Sequence, residues 1–185
     1  YDVNGALENE KITALADWND KELWIGTEKS GIYRLNYKTG IIKPQFLRLG
    51  NLEKSINSIL TENQYIWIAT QKGLCRYNID TNNKKWFTMQ EEGLPHNSVN
   101  HIIKDHQNRI WVGTLSNTLS YIQNGELTNI SLANRNSLLN ITSVLEDKNG
   151  LIWVGTQGNG VYVLNKDSIL NINYYLLLGF LLQKR

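Results

Sequence analysis

The three histidines of the chain are the first residues to weigh as chemical groups. His96, His101 and His106 follow one another at intervals of five, in a segment where apolar and polar residues alternate. Successive side chains of a strand point to opposite faces, so histidines five residues apart do not converge on one ion. The spacing predicts no metal site, and we expect no cofactor.

The carboxylates and potential nucleophiles of the sequence also do not form a recognisable site. Glu91 and Glu92 are adjacent in a predicted turn, where their side chains diverge, and the order of Ser, His and Asp typical of a catalytic triad is not recognisable. We therefore expect no catalytic residues and a non-enzymatic function. Because distant loops can converge in a folded protein, a glycan lyase or hydrolase is kept as an alternative to test.

An internal repeat predicts the elements that must position any site. The motifs LWIGT, IWIAT, IWVGT and IWVGT recur along the chain, and their tryptophans are separated by 43, 44 and 42 residues. An alternating run precedes each motif, and a second run follows a turn rich in Gly or Asn. A fourth, less regular strand is clearest at 84–89 and 127–132.

Four antiparallel strands in a repeat of this length are typical of a β-propeller blade, whereas repeats of about 30 to 35 residues would indicate helical units. The sequence therefore predicts an all-β fold of four blades, as a half-ring or a four-bladed ring. The repeats occupy 1–168, with boundaries at about 10–50, 51–95, 96–138 and 139–180, and 169–185 supply the last outer strand and an apolar tail.

The repeated motif is interpreted as architecture. A large indole in the second strand would fill the space between neighbouring blades, and Gly26, Gly113 and Gly155 would allow a ring or backbone to approach closely. Ala69 departs from this glycine pattern. The threonine that ends each motif suits a strand, and its hydroxyl is expected to bond a nearby backbone group.

The candidate ligand-binding residues lie in two sets of predicted loops. Propellers generally bind on the face formed by loops that enter the innermost strand and loops between the second and third strands. Both sets are rich in side chains that donate and accept hydrogen bonds in fixed directions, as sugar hydroxyls require, although simple solvation also explains them. The candidates are Lys29, Lys72, His96, Asn97, His101, Asn117, Arg135, Gln157 and Asn159.

His101 is the sharpest outlier among the candidates. Alignment of the innermost strands places it with Ala14, Ser58 and Ser143, so three blades carry a small residue where one carries an imidazole. We expect it near the central channel, either as a packed, hydrogen-bonded histidine or as a ligand contact.

Composition limits the partners. The chain has 41% hydrophobic and 19% charged residues, and its net charge of +2 comes from scattered basic residues. This composition is that of an ordinary globular protein without a basic face, so nucleic acid is not an expected partner. The single cysteine, Cys75, excludes an internal disulfide and is expected to be buried.

The repeat resembles the two-component regulator propeller repeat over residues about 10–165. The segments GLPHNSVNHIIKDHQNRIWVGT at 93–114 and NITSVLEDKNGLIWVGTQGNGVYVLN at 140–165 carry the resemblance. That family is found in extracytoplasmic sensor regions of bacterial histidine kinases and hybrid two-component proteins. The resemblance implies a periplasmic or extracellular sensor segment, often for oligosaccharides, that reaches the membrane only through other segments of a larger sensor.

Two features depart from the family pattern. Members usually carry many more than four repeats, and this sequence contains no recognisable kinase, receiver or immunoglobulin-like segment.

The C-terminal tail is unusually apolar. Residues 174–182 are nine consecutive apolar or glycine positions, followed by a basic end. This run is shorter than the roughly 20 apolar residues that a helix needs to span a bilayer. We therefore expect 169–178 to form the outer strand of blade 4 and the remainder of the tail to pack on an exposed edge or face, with the start of a membrane helix as the alternative.

Four blades raise the question of ring closure. A half-ring would expose two apolar blade faces, and a homodimer would complete eight blades by two-fold symmetry. A piece of a longer sensor or a compact four-bladed ring are the alternatives.

We interpret the chain as a non-enzymatic sensor segment that binds an extracellular small molecule, with a glycan as first choice. The alternative, from a different class of function, is a scaffold that docks a protein partner.

Overall fold

The computed structural model describes residues 5–45, 47, 54–132, 139–165 and 168–172. These residues form four antiparallel sheets of four strands each, in which neighbours in sequence are neighbours in the sheet. The all-β prediction of four-stranded propeller blades is confirmed. The candidate Arg135 and the apolar tail at 174–182 lie outside the described residues.

The chain divides into two compact units, 1–100 and 101–185. Each sheet is called a blade and numbered in chain order. Blade 1 contains β1 (Ile12–Trp18), β2 (Glu22–Thr27), β3 (Ile32–Asn36) and β4 (Ile42–Gln45); blade 2 contains β5 (Ile56–Glu62), β6 (Tyr65–Thr70), β7 (Gly73–Asn78) and β8 (Lys84–Phe87).

The division between the units falls within the first strand of blade 3. Blade 3 contains β9 (Val99–Lys104), β10 (Ile110–Thr114), β11 (Thr118–Gln123) and β12 (Glu126–Ser131); blade 4 contains β13 (Ile141–Glu146), β14 (Ile152–Thr156), β15 (Val161–Asn165) and β16 (Ser168–Ile172). The predicted outer strand at 169–178 thus overlaps β16, which pairs with β15.

Tight turns between the first two strands of each blade follow from their residue types. In blade 1, Asn19 and Asp20 both have φ of 54°, the left-handed conformation that a two-residue hairpin turn of type I′ requires. The Lys21 backbone N donates to the Trp18 carbonyl at 3.1 Å and closes this turn. Asn108 has φ of 60° in the corresponding turn of blade 3, because Asn tolerates this region better than most residues.

The innermost strands share an irregularity near their start. The pairing register shifts between Ile12 and Ala14 in β1, and at the corresponding place in β5 and β13. Such a bulge leaves one residue outside the ladder and turns its side chain away from the normal alternation. In blade 1 that residue is Thr13, whose hydroxyl donates to the Ile56 carbonyl of blade 2. The bulge therefore links two blades of the first unit.

Each unit has its own apolar core between its two blades. In the first unit Trp24 and Ile32 of blade 1 pack with Ile56, Ile59 and other residues of blade 2. In the second unit Trp111 and Leu119 of blade 3 pack with residues of blade 4 such as Ile141, Val144 and Val154. The indoles of the repeated motif thus fill the space between blades, as predicted. Cys75 is also buried in the first core.

The glycines of the motif allow the close approach that the sequence predicts. A Cβ at Gly26 would lie 2.6 Å from Ile56 Cγ2, and a Cβ at Gly113 would lie 2.6 Å from Ile141 Cγ2. The approaching group is an isoleucine side chain of the next blade, and not a ring or backbone. At Gly155 the nearest group is Ser143 Oγ, within blade 4 itself.

The motif threonines also act as predicted, with one variation. The hydroxyls of Thr27, Thr70 and Thr156 donate to the carbonyls of Gly31, Gly73 and Gly160 at 2.7–2.9 Å. In blade 3 the Thr114 hydroxyl instead pairs with the Ser116 hydroxyl at 2.9 Å. These bonds fix the loop between the second and third strands of each blade.

The innermost strand of blade 1 exposes apolar side chains that the other blades bury. Ile12 and Leu15 are 41% and 60% exposed, whereas their counterparts in blade 2, Ile56 and Ile59, are 0% and 7% exposed. In blade 4, Leu145 is 62% exposed. Blade 1 and blade 4 therefore each expose apolar side chains of their innermost strands to solvent. No helix long and apolar enough to cross a membrane occurs in the described ranges.

Candidate functional site

The two ends of each blade carry different loops. The start of the first strand lies beside the end of the second, as the pairing of Ile12 with Thr27 shows. We call this the loop end, because the loops predicted to bind ligand lie here. The opposite end carries the turns between the first and second strands and between the third and fourth, and is called the turn end.

The candidates of the first unit lie at the loop end and mostly serve their own loops. Lys29 and Lys72 are exposed in loops between second and third strands. His96 Nδ1 accepts a hydrogen bond from the Ser98 backbone N at 2.9 Å. Asn97 Oδ1 accepts one from the Met89 backbone N at 2.8 Å. His96 and Asn97 therefore order the loop that leads into blade 3.

The candidates of the second unit are also at the loop end. Gln157 and Asn159 are exposed, and Gln157 Oε1 accepts a hydrogen bond from Asn140 Nδ2 at 2.7 Å. The carbonyl of Asn117 accepts one from the Leu132 backbone N at 2.9 Å. The ligand role of these residues stays a prediction.

His101 connects the two blades of the second unit. Its Nδ1 accepts a hydrogen bond from the Val144 backbone N, at 3.2 Å, across 43 positions of sequence. Burial lowers the pKa of His101 below its ordinary value of 6.5, because the charged imidazolium loses hydration. The packed, hydrogen-bonded form expected from sequence is thus present, and it favours the neutral ring.

We expect His101→Gln to remove part of the acid sensitivity of the fold. Because the folded-state pKa is depressed, stability from the neutral ring is present above the unfolded value of 6.5 and is lost as pH falls through the folded pKa. Urea unfolding between about pH 8 and about pH 5 measures this dependence. An equal loss of stability on acidification in the parent and the variant would contradict it.

A cavity of about 440 Å³ lies between the blades of the second unit, at the turn end. None of the described candidates from the sequence lines it. Blade 3 contributes the turn between β9 and β10 and one side chain from each of β10, β11 and β12. Blade 4 contributes the turn between β13 and β14 and residues of β14 and β15. The lining residues are His106, Gln107, Arg109, Trp111, Tyr121, Ile130, Asn149, Gly150, Ile152, Leu164 and Asn165.

A buried carboxylate organises the blade 3 wall of this cavity. The Asp105 side chain is 0% exposed, and its Oδ2 accepts hydrogen bonds from Arg109 Nε at 2.5 Å and Trp111 Nε1 at 2.7 Å. Its Oδ1 accepts from the backbone N atoms of Gln107 and Arg109 at 2.9 and 2.8 Å. One carboxylate therefore fixes the turn, the indole and the guanidinium together.

The same contacts control the ionisation of Asp105. Burial alone would raise its pKa, but the hydrogen bonds from the Trp111 indole and from the backbone and side chain of Arg109, with the charge of Arg109, outweigh burial. The pKa of Asp105 therefore lies below its ordinary value of 3.8. The carboxylate is charged at neutral pH and pairs with Arg109.

Other blades repeat this carboxylate–indole contact with differences. Asp147 Oδ2 accepts from Trp153 Nε1 at 2.9 Å, and Glu62 Oε2 accepts from Trp67 Nε1 at 3.1 Å. In blade 1 the residue six positions before the motif tryptophan is Trp18, and the buried Trp24 Nε1 has no partner among the described residues. The nearest preceding carboxylate on β1, Asp17, stands seven positions before Trp24 and accepts hydrogen bonds from the Tyr37 hydroxyl and the Asp20 backbone N instead.

His106 joins the turn of blade 3 to the innermost strand of blade 4. Its Nδ1 donates to one carboxylate oxygen of Glu146, and its backbone N donates to the other at 2.9 Å. A Cβ at Gly150 would lie 3.1 Å from His106 Cε1, so the glycine leaves room for the ring. This double contact holds the rim of the cavity.

Neither Arg109 nor the cavity is predicted from the sequence, and His106 stands out there only as a potential metal ligand. No group of three potential metal-ligating residues occurs in the described part of the chain. One signal was available, because His106 and Arg109 stand where blade 4 has Lys148 and Leu151. A turn that differs from its repeats could have been weighed as a site.

The fold and its cores define this chain as a β-propeller protein. Residues 22–173 match the family profile of the SMP-30/gluconolactonase/LRE-like region, and the chain belongs to that family. It is 31% identical over 106 residues to histidine kinase P4 of Formosa agariphila, which covers 52% of this chain and 8% of that protein.

Solved structures with this fold include extracellular domains of two-component systems and a lyase. The extracellular domain of a hybrid two-component system from B. thetaiotaomicron superimposes with a TM-score of 0.77 at 23% identity, covering 91% of this chain and 23% of that one. Virginiamycin B lyase from Staphylococcus aureus superimposes with a TM-score of 0.70 at 16% identity, covering 88% and 55%. The resemblance to two-component propellers inferred from the repeat is confirmed. The chain spans 8% of the length of histidine kinase P4 and 23% of the length of that extracellular domain.

Proposed function

We propose that this chain is a ligand-sensing segment in the extracellular or periplasmic part of a bacterial two-component sensor. The observation that carries the proposal is the 31% identity to a histidine kinase over 52% of the chain. The fold shared with the extracellular domain of a hybrid two-component system supports the same role and location. Ligand occupancy would be passed on through changes between blades or between subunits.

A glycan is the proposed class of ligand. Exposed amides and amines at the loop end, such as Lys72, Gln157 and Asn159, offer directional hydrogen bonds to hydroxyl groups. A second set of directional groups lines the cavity at the turn end. The segment is proposed to bind its ligand without converting it.

The test is a panel of neutral and acidic oligosaccharides, monitored by tryptophan fluorescence and thermal unfolding. A ligand that binds the folded chain raises its unfolding temperature by mass action. Mass spectrometry of each saccharide after incubation should show it unchanged, whereas cleavage products would favour a glycan lyase or hydrolase. A panel without any shift, alongside a stable complex with a protein, would replace the proposal by a docking scaffold.

The exposed apolar side chains of blades 1 and 4 support a second copy as a partner. The exposed Ile12 and Leu15 have buried counterparts in Ile141 and Val144, which a preceding blade covers within the second unit. Blade 4 exposes Leu145 on its innermost strand. Two copies would bring together eight blades, within the range of about four to eight found in propellers. We propose that the isolated chain forms such a homodimer.

A further inference from the structure

The cavity between blades 3 and 4 has a cationic lining. Among the described residues that line it, Arg109 carries a positive charge, Gln107, Asn149 and Asn165 carry amides, and none is acidic. The carboxylate of Asp105 lies behind this surface, fully buried and already bonded to four donors. An anionic group entering the cavity therefore meets donors among the lining residues, and the partly exposed carboxylate at the rim, Glu146, is already bonded to His106.

Arg109 is held in a fixed orientation. Its guanidinium carbon lies 4.8 Å from the Trp111 ring centroid and 5.4 Å from that of Tyr121, and its Nε is bonded to Asp105. Its two terminal amino groups have no hydrogen bond to a residue in the described ranges. A guanidinium edge that is fixed in this way matches the two oxygens of a carboxylate.

The rest of the cavity suits a small ligand with an apolar surface as well as polar groups. Ile130, Ile152 and Leu164 form its apolar side, opposite the amides of the turns. Its volume of about 440 Å³ lies within the range of about 300 to 1,000 Å³ usual for small-molecule sites. The size admits a ligand of one or a few sugar rings.

We propose that this cavity is a binding site for a small carboxylate-bearing ligand of the uronic acid type, anchored by Arg109. The carboxylate pairs with the free guanidinium edge, and the amides of Gln107 and Asn149 bond ring hydroxyls. This inference deepens the proposed function, because it gives the sensor an acidic ligand and places the site at the turn end, away from the predicted loops.

The test is an NMR titration of the ¹⁵N-labelled chain with D-glucuronate, D-glucose and D-glucose 6-sulfate. These probes share a ring and differ at the terminal carbon, as carboxylate, neutral hydroxymethyl and sulfate ester. We expect glucuronate to shift the signals of Trp111 Nε1 and Arg109 Nε and to bind about tenfold or more tighter than glucose, because the charge-assisted pair is absent with the neutral sugar.

Two variants assign the effect to the cavity. Arg109→Lys keeps the charge but loses the planar fork, and Gln107→Glu puts a competing carboxylate beside Arg109; each should weaken glucuronate binding about tenfold. Gln64→Glu, in the turn between β5 and β6, makes the same change of charge in the first unit and should leave binding unchanged. Thermal unfolding checks that each variant is folded.

Several outcomes overturn the inference. Equal binding of glucuronate and glucose, absence of glucuronate binding, tighter binding of the 6-sulfate, or full glucuronate affinity in folded Gln107→Glu would each do so. If neutral oligosaccharides bind while glucuronate does not, the inference fails and the proposed glycan sensor stands. If glucuronate binds at Arg109 but the histidine kinase that carries this segment does not respond to it, the site stands and the sensor role fails.

Discussion

Replacing Asp105 with Ala is expected to lower the free energy of unfolding by about 3 to 5 kcal/mol, as when one partner of a buried ion pair is removed. The substitution leaves the Arg109 guanidinium and the Trp111 indole without their shared acceptor. It also frees two backbone N atoms that close the turn. Since single domains are stable by only about 5 to 15 kcal/mol, the variant would lie close to unfolding.

Urea unfolding of the two matched variants Asp105→Ala and Asp147→Ala measures this effect. Asp147 makes the same pattern of bonds, to two backbone N atoms and to Trp153 Nε1, but it is more exposed and has Leu151 in place of an arginine. We expect Asp147→Ala to be clearly less destabilising. Equal losses of unfolding free energy in the two variants would mean that neither the burial of Asp105 nor its ion pair with Arg109 adds to the stability that the carboxylate–indole contact provides.

The lowered pKa of Asp105 allows a second test, based on how stability depends on pH. The pKa lies below the ordinary 3.8 in the folded chain, so the stabilisation is present above pH 3.8 and is lost as pH falls through the folded pKa. The parent should therefore lose stability over this acid range by more than Asp105→Ala does. A parallel acid dependence in both would contradict the lowered pKa.

Leu15→Lys is expected to weaken self-association of the chain by about 100-fold or more. Burying a leucine is worth about 1.5 to 3 kcal/mol, and a lysine forced into the same interface adds the cost of an unpaired charge. A loss of about 1.4 kcal/mol in binding free energy raises the dissociation constant tenfold. Leu15 is 60% exposed in the single chain, so the substitution should leave the fold intact.

Light scattering over a range of concentrations gives the solution mass of each variant. Ile41→Lys is the matched control, because Ile41 is 40% exposed in the same unit but lies in the turn between β3 and β4, away from the blade face. The parent and Ile41→Lys should be dimers where Leu15→Lys is a monomer. A parent that stays monomeric at all concentrations, or a dimeric Leu15→Lys, would exclude pairing through this face.

The blades could be predicted from sequence because their causes are local and repeated. Alternation, turn residues and the spacing of Trp24, Trp67, Trp111 and Trp153 recur four times, so each repeat supports the interpretation of the others. The packing of indoles between blades and the need for glycine at Gly113 followed from size alone. The closest approach to Gly113 was by Ile141, which lies in the innermost strand of the next blade, outside the motif.

The candidate site depended on contacts between repeats. His106 meets Glu146 across 40 positions, and His101 meets Val144 across 43, because adjacent blades stack side by side and bring residues about one repeat apart into contact. The sequence by itself determined the strands, the turns and the order of the blades. Only the tertiary structure decided that Arg109, fixed by Asp105 and two aromatic rings, faces a cavity, because side-chain direction and the gap between two sheets depend on how the sheets pack.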